Sequence, residues 1–334
     1  MSKIADRLNP SQPWNTDFPA TVTEADIYYC FRLLLGRRPN KLEWPSHSWR
    51  IGENLDSVVS SYLTSQEFTN RHLSARPLGN LELMELPQFK IYASREDTFL
   101  GKVIAETHDY EPHVGKIFKQ YLRPGMKVLD IGANIGYFSL LAACLVGAAG
   151  AVYSWEPSPV NVRTLYASQL VNKFSNIEIM QAAATDGTIL LKYFRNLSNG
   201  NVAEVQHASA EDVLASETVM GLRIDDFVSP HAHIDFVKID VEGYEFKALT
   251  GARRTLERSK PILVTEFSPA SLPAASGVSG REYLEFLAQL DYDIFVITEA
   301  KPASASIDQV LSRFDDSGSD HLDLLLQPKS SRSL

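Results

Sequence analysis

Apolar residues recur along this chain in two rhythms, and the change from one to the other divides it. Between residues 21 and 73 the rhythm is helical. In TEADIYYCFRLLLGRRPN, Ile27, Cys30, Phe31 and Leu34 recur at helical spacing, Thr23 with Asp26 three residues on makes an N-terminal cap, and Gly36 and Pro39 end the pattern. NLDSVVSSYLTSQEFTNRHL predicts a second helix with Leu55, Val58, Val59, Tyr62 and Leu63 on one face. A link carrying Trp44, Pro45 and Trp49 closes the two into a small all-helical domain, residues 21–85, which ends in the linker SARPLGNLE. Residues 1–20, polar and proline-containing, read as an arm.

The second rhythm fills residues 86–334. After an irregular stretch and a helix around 111–122, short apolar runs alternate with helical segments: strand 126–131, helix 136–148, strand 151–156, helix 159–172 and strand 176–182. A strand at 188–194 leads into the polar stretch RNLSNGNVAEVQHASAED. Strand 234–240, helix 244–257, strand 261–267, helix 280–290, strand 292–298 and a last strand at 321–328 follow, and ASASIDQVLSRFDDSGSD reads as loop with one short helix. Alternation of this kind implies an α/β fold, with a parallel-rich sheet covered by helices on both faces and ligands bound beyond the carboxyl ends of the strands. The polar stretch suits either a solvated loop or an acceptor-binding insertion, in which Asn196, Asn199, Asn201 and His207 would hydrogen-bond a polyhydroxylated substrate.

Composition narrows the function classes. A net charge of −9 over 334 residues opposes a broad nucleic-acid surface, and the cluster Arg32, Arg37, Arg38 and Lys41 reads as a solvated helix end. Cys30 and Cys144, each inside an apolar helical pattern, suggest packing in a reducing compartment and not a disulfide or zinc framework. MSKIADRLNPSQPW lacks the apolar centre of a secretory signal, and no apolar run approaches the roughly 18 residues of a membrane span. A cytoplasmic protein is the expectation.

Two features carry chemistry. Asp130-Ile-Gly132-Ala-Asn134-Ile-Gly136 follows a strand and opens a helix, the context of a nucleotide-binding loop. It is neither the dinucleotide fingerprint nor a phosphate-cradling P-loop, which disfavours a nicotinamide dehydrogenase, and an aspartate at the strand end suits a cationic ligand better than a pyrophosphate. The next strand, VYSWEP, ends in Glu156, placed to accept two ribose hydroxyls. Each feature has a plainer reading: a glycine turn after a buried strand, and a carboxylate favoured at a helix N-terminus.

Together, Asp-x-Gly-x-Asn-x-Gly and Glu-Pro resemble the binding loop of Rossmann-like S-adenosylmethionine-dependent methyltransferases. IDFVKIDVEGYEFKALTGA (234–252), PILVTEFSP (261–269) and the upstream run beginning DYEPHVGKIF resemble the FkbM-type subfamily in particular. The resemblance spans roughly residues 105–300 and implies a mostly parallel seven-stranded sheet. It also implies S-adenosylmethionine as cofactor: its methionine portion against Asp130, Gly132, Asn134 and the turn closed by Gly136, its ribose on Glu156, its adenine near Pro157, Ala183 and Asp186, and Glu111 towards its amino end. A sulfonium beside several carboxylates is electrostatically sensible. The N-terminal helices are similar to a small helical domain of bacterial, partly glycan-related proteins, and could recruit a partner or dimerise.

VKIDVEGYE is then the reaction edge. Methyl transfer to a hydroxyl needs an aligned acceptor and a group to take its proton; Asp240, Glu242 and Glu266 are the candidates, with His207 and His108 as alternatives. The plainer reading of Asp240 and Glu242 is capping of the helix at 244, with Glu245 facing solvent. Asp240 and Glu266 could also hold a divalent cation, although two carboxylates without a third ligand do not favour it. The leading expectation is an O-methyltransferase acting on a sugar, glycan or related polar metabolite. The alternative is a catalytically inactive scaffold that keeps the fold.

Overall fold

The computed structural model describes residues 20–70, 81–196, 198–204 and 217–329. His207 and the arm, apart from Ala20, lie outside them. The chain divides into two compact units, residues 1–79 and 80–334.

In the first unit Thr23 and Asp26 form the expected capping box at the start of helix Glu24–Tyr29. The helix does not continue as α: Cys30–Leu34 widens into a π-turn. The second helix likewise stops at Leu63, and Gln66–Asn70 forms a separate turn. Val22, Ile27, Phe31, Val58 and Tyr62 make a small core, whereas Leu63, expected on the apolar face, is exposed. Arg37 is not a solvated helix end. Its guanidinium donates to the carboxylates of Glu43 and Glu67 and lies over the Phe31 ring, 4.9 Å from the centroid, while Arg32, Arg38 and Lys41 are exposed.

The second unit opens with a hairpin where an irregular stretch was expected: β1 (Leu81–Glu85) pairs antiparallel with β2 (Lys90–Ser94). Helices Gly101–Thr107 and Pro112–Tyr121 follow. The alternation then proceeds through β3 (Lys127–Ile131), helix Tyr137–Val146, β4 (Ala151–Trp155), helix Pro159–Asn172 and β5 (Ile177–Met180). β6 (Ala183–Ala184), β7 (Ile189–Asn196), β8 (Asn199–Glu204) and β9 (Glu217–Leu222) come next. The chain returns through β10 (Phe236–Ile239), β11 (Ile262–Phe267), β12 (Tyr292–Val296), β13 (Ala303–Ser304) and β14 (Leu322–Pro328).

Among the described residues the main sheet has the order β13-β12-β14-β11-β10-β3-β4-β5. It is parallel from β11 to β5, with β14 antiparallel between β11 and β12. Seven strands match the expected sheet, and the eighth is the two-residue edge strand β13. Alternate residues feed opposite layers. Val128, Val152 and Phe236 pack under the helices around 101–146; Leu129, Val237 and Leu263 pack under those around 245–290. The helix expected over 244–257 breaks at Ala252 into Glu245–Gly251 and Arg253–Ser259. The break falls where a Cβ on Gly251 would lie 1.9 Å from the Thr185 carbonyl oxygen. From β3 the chain runs outward to β5 and later returns to the other side through β10, so β3 and β10 flank a topological switch point, where open α/β sheets bind ligands. A second sheet, β6-β9-β7-β8, covers that end, and the polar stretch after residue 194 supplies its hairpin.

Candidate functional site

The turn after β3 is built so that backbone can pass where a side chain could not. Gly132 has φ +81, and a Cβ there would lie 1.8 Å from the Asp240 carbonyl oxygen. The Gly132 and Ala133 amides both donate to the Trp155 carbonyl at 2.9 Å, fastening the turn to β4. Asn134 is held at φ +51 and donates its amide to Glu156 Oε2 at 2.9 Å. Gly136, at φ +95, starts the next helix against Leu165. Behind the turn, Asp130 is fully buried and accepts from Ser139 Oγ at 2.5 Å; its Oδ1 has no partner among the described residues.

Glu156 is only 4% exposed. Its Oε1 accepts from the Ser158 amide at 2.8 Å and from Asn161 Nδ2 at 3.3 Å. Burial pushes its carboxyl up to about 7, with the donors from Ser158, Asn134 and Asn161 pulling the other way. Glu156 is therefore a carboxylate whose charge a ligand with hydroxyl donors would favour.

These residues open onto a cavity of about 620 Å³ at the carboxyl ends of the strands. Of the residues singled out from sequence, Glu111, Gly132, Asn134, Glu156, Pro157, Ala183, Asp240, Glu242 and Glu266 all stand on its wall. Asp130, Gly136 and Asp186 do not. The first two lie behind the loop. Asp186 is exposed beyond β6, accepting from Thr185 Oγ1, because β6 pairs with β9 and carries the chain away from the cavity. His108 is an exposed helix cap off the wall.

Lys238 joins the site although no motif marks it. It is 6% exposed, and its Nζ lies 2.9 Å from Asp240 Oδ2 and 5.1 Å from the centre of the Phe138 ring. Burial works against the Asp240 charge, yet the Lys238 ammonium and a hydrogen bond from Glu266 hold Asp240 below the ordinary carboxylate range. Burial and the Asp240 charge push Glu266 far up, so the two carboxyls share one proton. Burial also raises Glu111, with Lys238 opposing. A lysine inside the otherwise apolar run of β10 was the available signal, since a charge buried on both faces of a sheet needs a partner.

Glu245 is not solvent-facing. It is 1% exposed, and its Oε1 accepts from the Val241 and Gly243 amides at 3.0 and 3.1 Å, which shapes the loop after β10. The following helix begins without a side-chain cap, so capping does not account for Asp240 or Glu242. Glu242 is exposed at the cavity mouth, has φ +54, and accepts from Asn199 Nδ2 at 3.2 Å. Nearby, His321 Nδ1 pairs with Asp320 at 2.8 Å and His113 Nε2 with Asp323 at 2.6 Å. Among the described residues no three His, Cys, Asp or Glu side chains are grouped to hold a metal ion. Asp240 and Glu266 form a lysine-bound, proton-sharing pair.

Residues 130–294, which contain the glycine turn, Glu156 and the loop after β10, match the family model described as the methyltransferase FkbM domain. This segment is an FkbM methyltransferase domain. Among solved structures, the FkbM methyltransferase from Methylobacillus flagellatus KT is 17% identical, with 84% of this chain aligned at a TM-score of 0.38; the chain spans 65% of that protein's length. A fibrillarin from Aeropyrum pernix with natively bound S-adenosyl-L-methionine is 12% identical, covering 74% of this chain and 99% of its own at a TM-score of 0.38. A SAM-dependent methyltransferase from Aquifex aeolicus is 14% identical, covering 66% and 95% at 0.36. No curated protein matches the chain. No helix among the described residues is long and apolar enough to cross a membrane.

The FkbM match falls on a cavity whose donor set would fit S-adenosylmethionine. A glycine turn leaves backbone exposed, a buried carboxylate stands on the adjacent strand, small residues follow at Ala182–Ala184, and the wall is rich in carboxylates with Lys238 already paired.

Proposed function

We propose that this protein transfers the methyl group of S-adenosylmethionine to a hydroxyl of a sugar, glycan or related polar metabolite. One observation carries the reading: the glycine turn and Glu156 meet, in a single cavity, the carboxyls Asp240, Glu242 and Glu266. Glu156 would hold the ribose hydroxyls, Gly132 and Asn134 the methionine portion, Glu111 its amino end, and Pro157 and Ala183 the adenine. Asp130 would act from behind the turn, through Ser139. The bound cofactor supplies an electrophilic methyl on a positively charged sulfur.

The chain must then align an acceptor oxygen and take its proton. Glu266 already carries a proton, and Asp240 is held ionised by Lys238, which makes it a weak base but a strong fixed charge. Glu242, raised by partial loss of hydration at the cavity mouth and by the nearby Asp240 charge, is the better proton acceptor of the three. Ser198 and Asn199 on the opposite wall add polar groups suited to a polyhydroxylated acceptor.

Titration calorimetry with S-adenosylmethionine and with NAD tests the cofactor, and a screen of oligosaccharides and nucleotide sugars with labelled cofactor then tests the acceptor. Cofactor binding that is lost in Glu156→Ala is expected. Binding of neither cofactor would replace this reading with that of a scaffold.

A further inference from the structure

A line of hydrogen bonds crosses the cavity from the glycine turn to Glu242, and its polarity is fixed. Asn134 Oδ1 accepts from the Ile135 amide at 2.7 Å, so its Nδ2 must face outward. That Nδ2 donates to Asn199 Oδ1 at 2.9 Å. Asn199 is left with its Nδ2, which donates to Glu242 Oε1 at 3.2 Å. Turning the Asn199 amide over would set NH2 against NH2 at one end and oxygen against carboxylate at the other, so only one orientation satisfies both contacts.

The ends of the line are equally constrained. Asn134 at φ +51 and Glu242 at φ +54 both occupy the left-handed region, which costs about 1–3 kcal/mol for a non-glycine residue and persists only where its surroundings impose it. The middle is anchored too. Asn161 Nδ2 donates to the Ser198 carbonyl at 2.7 Å, and a Cβ on Gly200 would lie 2.3 Å from the Tyr193 hydroxyl oxygen, so the hairpin tip is tightly closed.

We infer that Asn199 is a positioning residue that ties the cofactor turn to Glu242, so that occupancy of the turn sets the orientation of the carboxylate on the acceptor side. The inference rests on the methyltransferase reading above.

Asn199→Asp separates the two contacts. The aspartate still accepts from Asn134 but sets a carboxylate against Glu242. Glu242→Gln alone keeps an oxygen for the Asn199 donor. Combined with Asn199→Asp, it restores a donor–acceptor pair of reversed polarity. The probe is S-adenosylhomocysteine, and the readouts are its affinity by calorimetry and amide exchange in residues 240–246. The product should slow exchange in 240–246 of the wild type and of Glu242→Gln, fail to do so in Asn199→Asp, and do so again in the double variant. Its affinity for Asn199→Asp should stay within about threefold of the wild type. Equal slowing in all four proteins, or none in the wild type, would overturn the inference while leaving cofactor binding intact. Absence of calorimetric binding to the wild type would overturn the methyltransferase reading, and this inference with it.

Discussion

Replacing Glu156 with Gln removes a titrating group from one of the most enclosed positions at the cavity. In the folded protein its carboxyl sits at about 7, against 4.5 for an unperturbed glutamate. Such a group binds more protons in the folded than in the unfolded chain between those values, so its contribution to stability is fully present below about 4.5 and is lost as the pH rises to about 7. At 1.36 kcal/mol per pKa unit the loss amounts to about 3 kcal/mol. The substitution has its own cost. Three donors converge on the carboxylate, and glutamine turns an NH2 group towards at least one of them, which costs about 1–3 kcal/mol. Wild type should therefore be the more stable protein near pH 5, and the advantage should shrink or vanish by about pH 8. Urea unfolding of the ligand-free protein at a series of pH values, with m held common, measures the difference. Parallel stability curves for wild type and Glu156→Gln would refute the reasoning, because the pH dependence would then come from other groups. Hydroxyl donors from a bound ribose favour the charged carboxylate, so affinity for S-adenosylmethionine should tighten over the same window in wild type and stay flat in the variant.

Lys238→Met removes a buried cation and leaves the partly buried Asp240 carboxylate without its partner; a loss of about 3 kcal/mol by urea unfolding is expected, and an unchanged midpoint would contradict the pairing. Gly132→Ala forces a left-handed alanine, worth about 1–3 kcal/mol, and adds a collision with the Asp240 carbonyl. Gly147→Ala is the control, at φ +63 with nothing among the described residues within 4 Å of the new Cβ. Thermal unfolding should show Gly132→Ala much the worse of the two, with cofactor affinity lost only there.

The parallel half of the fold was legible because its strands are short apolar runs separated by helices, and each run had to be covered on both faces. Helix Pro159–Asn172 falls at its expected bounds, with Ser158 as its cap. The antiparallel parts were harder to read. β1 and β2 are half-exposed, and β8 (NGNVAE) has no apolar alternation, since it is an outer strand of the small sheet with most of its residues only partly buried. Its pairing with β7, and not its own pattern, makes it a strand. The π-turn at Cys30–Leu34 preserves an apolar face that looks helical throughout, so periodicity alone could not reveal it.

At the site, sequence spacing located carboxylates but could not assign their charges. Asp240, Glu242 and Glu266 look equivalent as acidic residues near strand ends; the structure separates them by what each one meets. Lys238 holds the first ionised, the shared proton neutralises the third, and Asn199 fixes the second from across the cavity. Asp130 shows the same limit from the other side. Its position in the motif suggests a ligand contact, yet its oxygen meets Ser139 behind the turn. A motif specifies which residues stand near a ligand, whereas the protonation and aim of each depend on partners distant in sequence, such as Ser139 behind the turn and Asn199 on a hairpin that no local pattern announces. If methyl transfer proceeds as proposed, the pH dependence of proton removal from the acceptor should therefore follow Glu242, which Asn199 holds from the hairpin, and not Asp240 or Glu266.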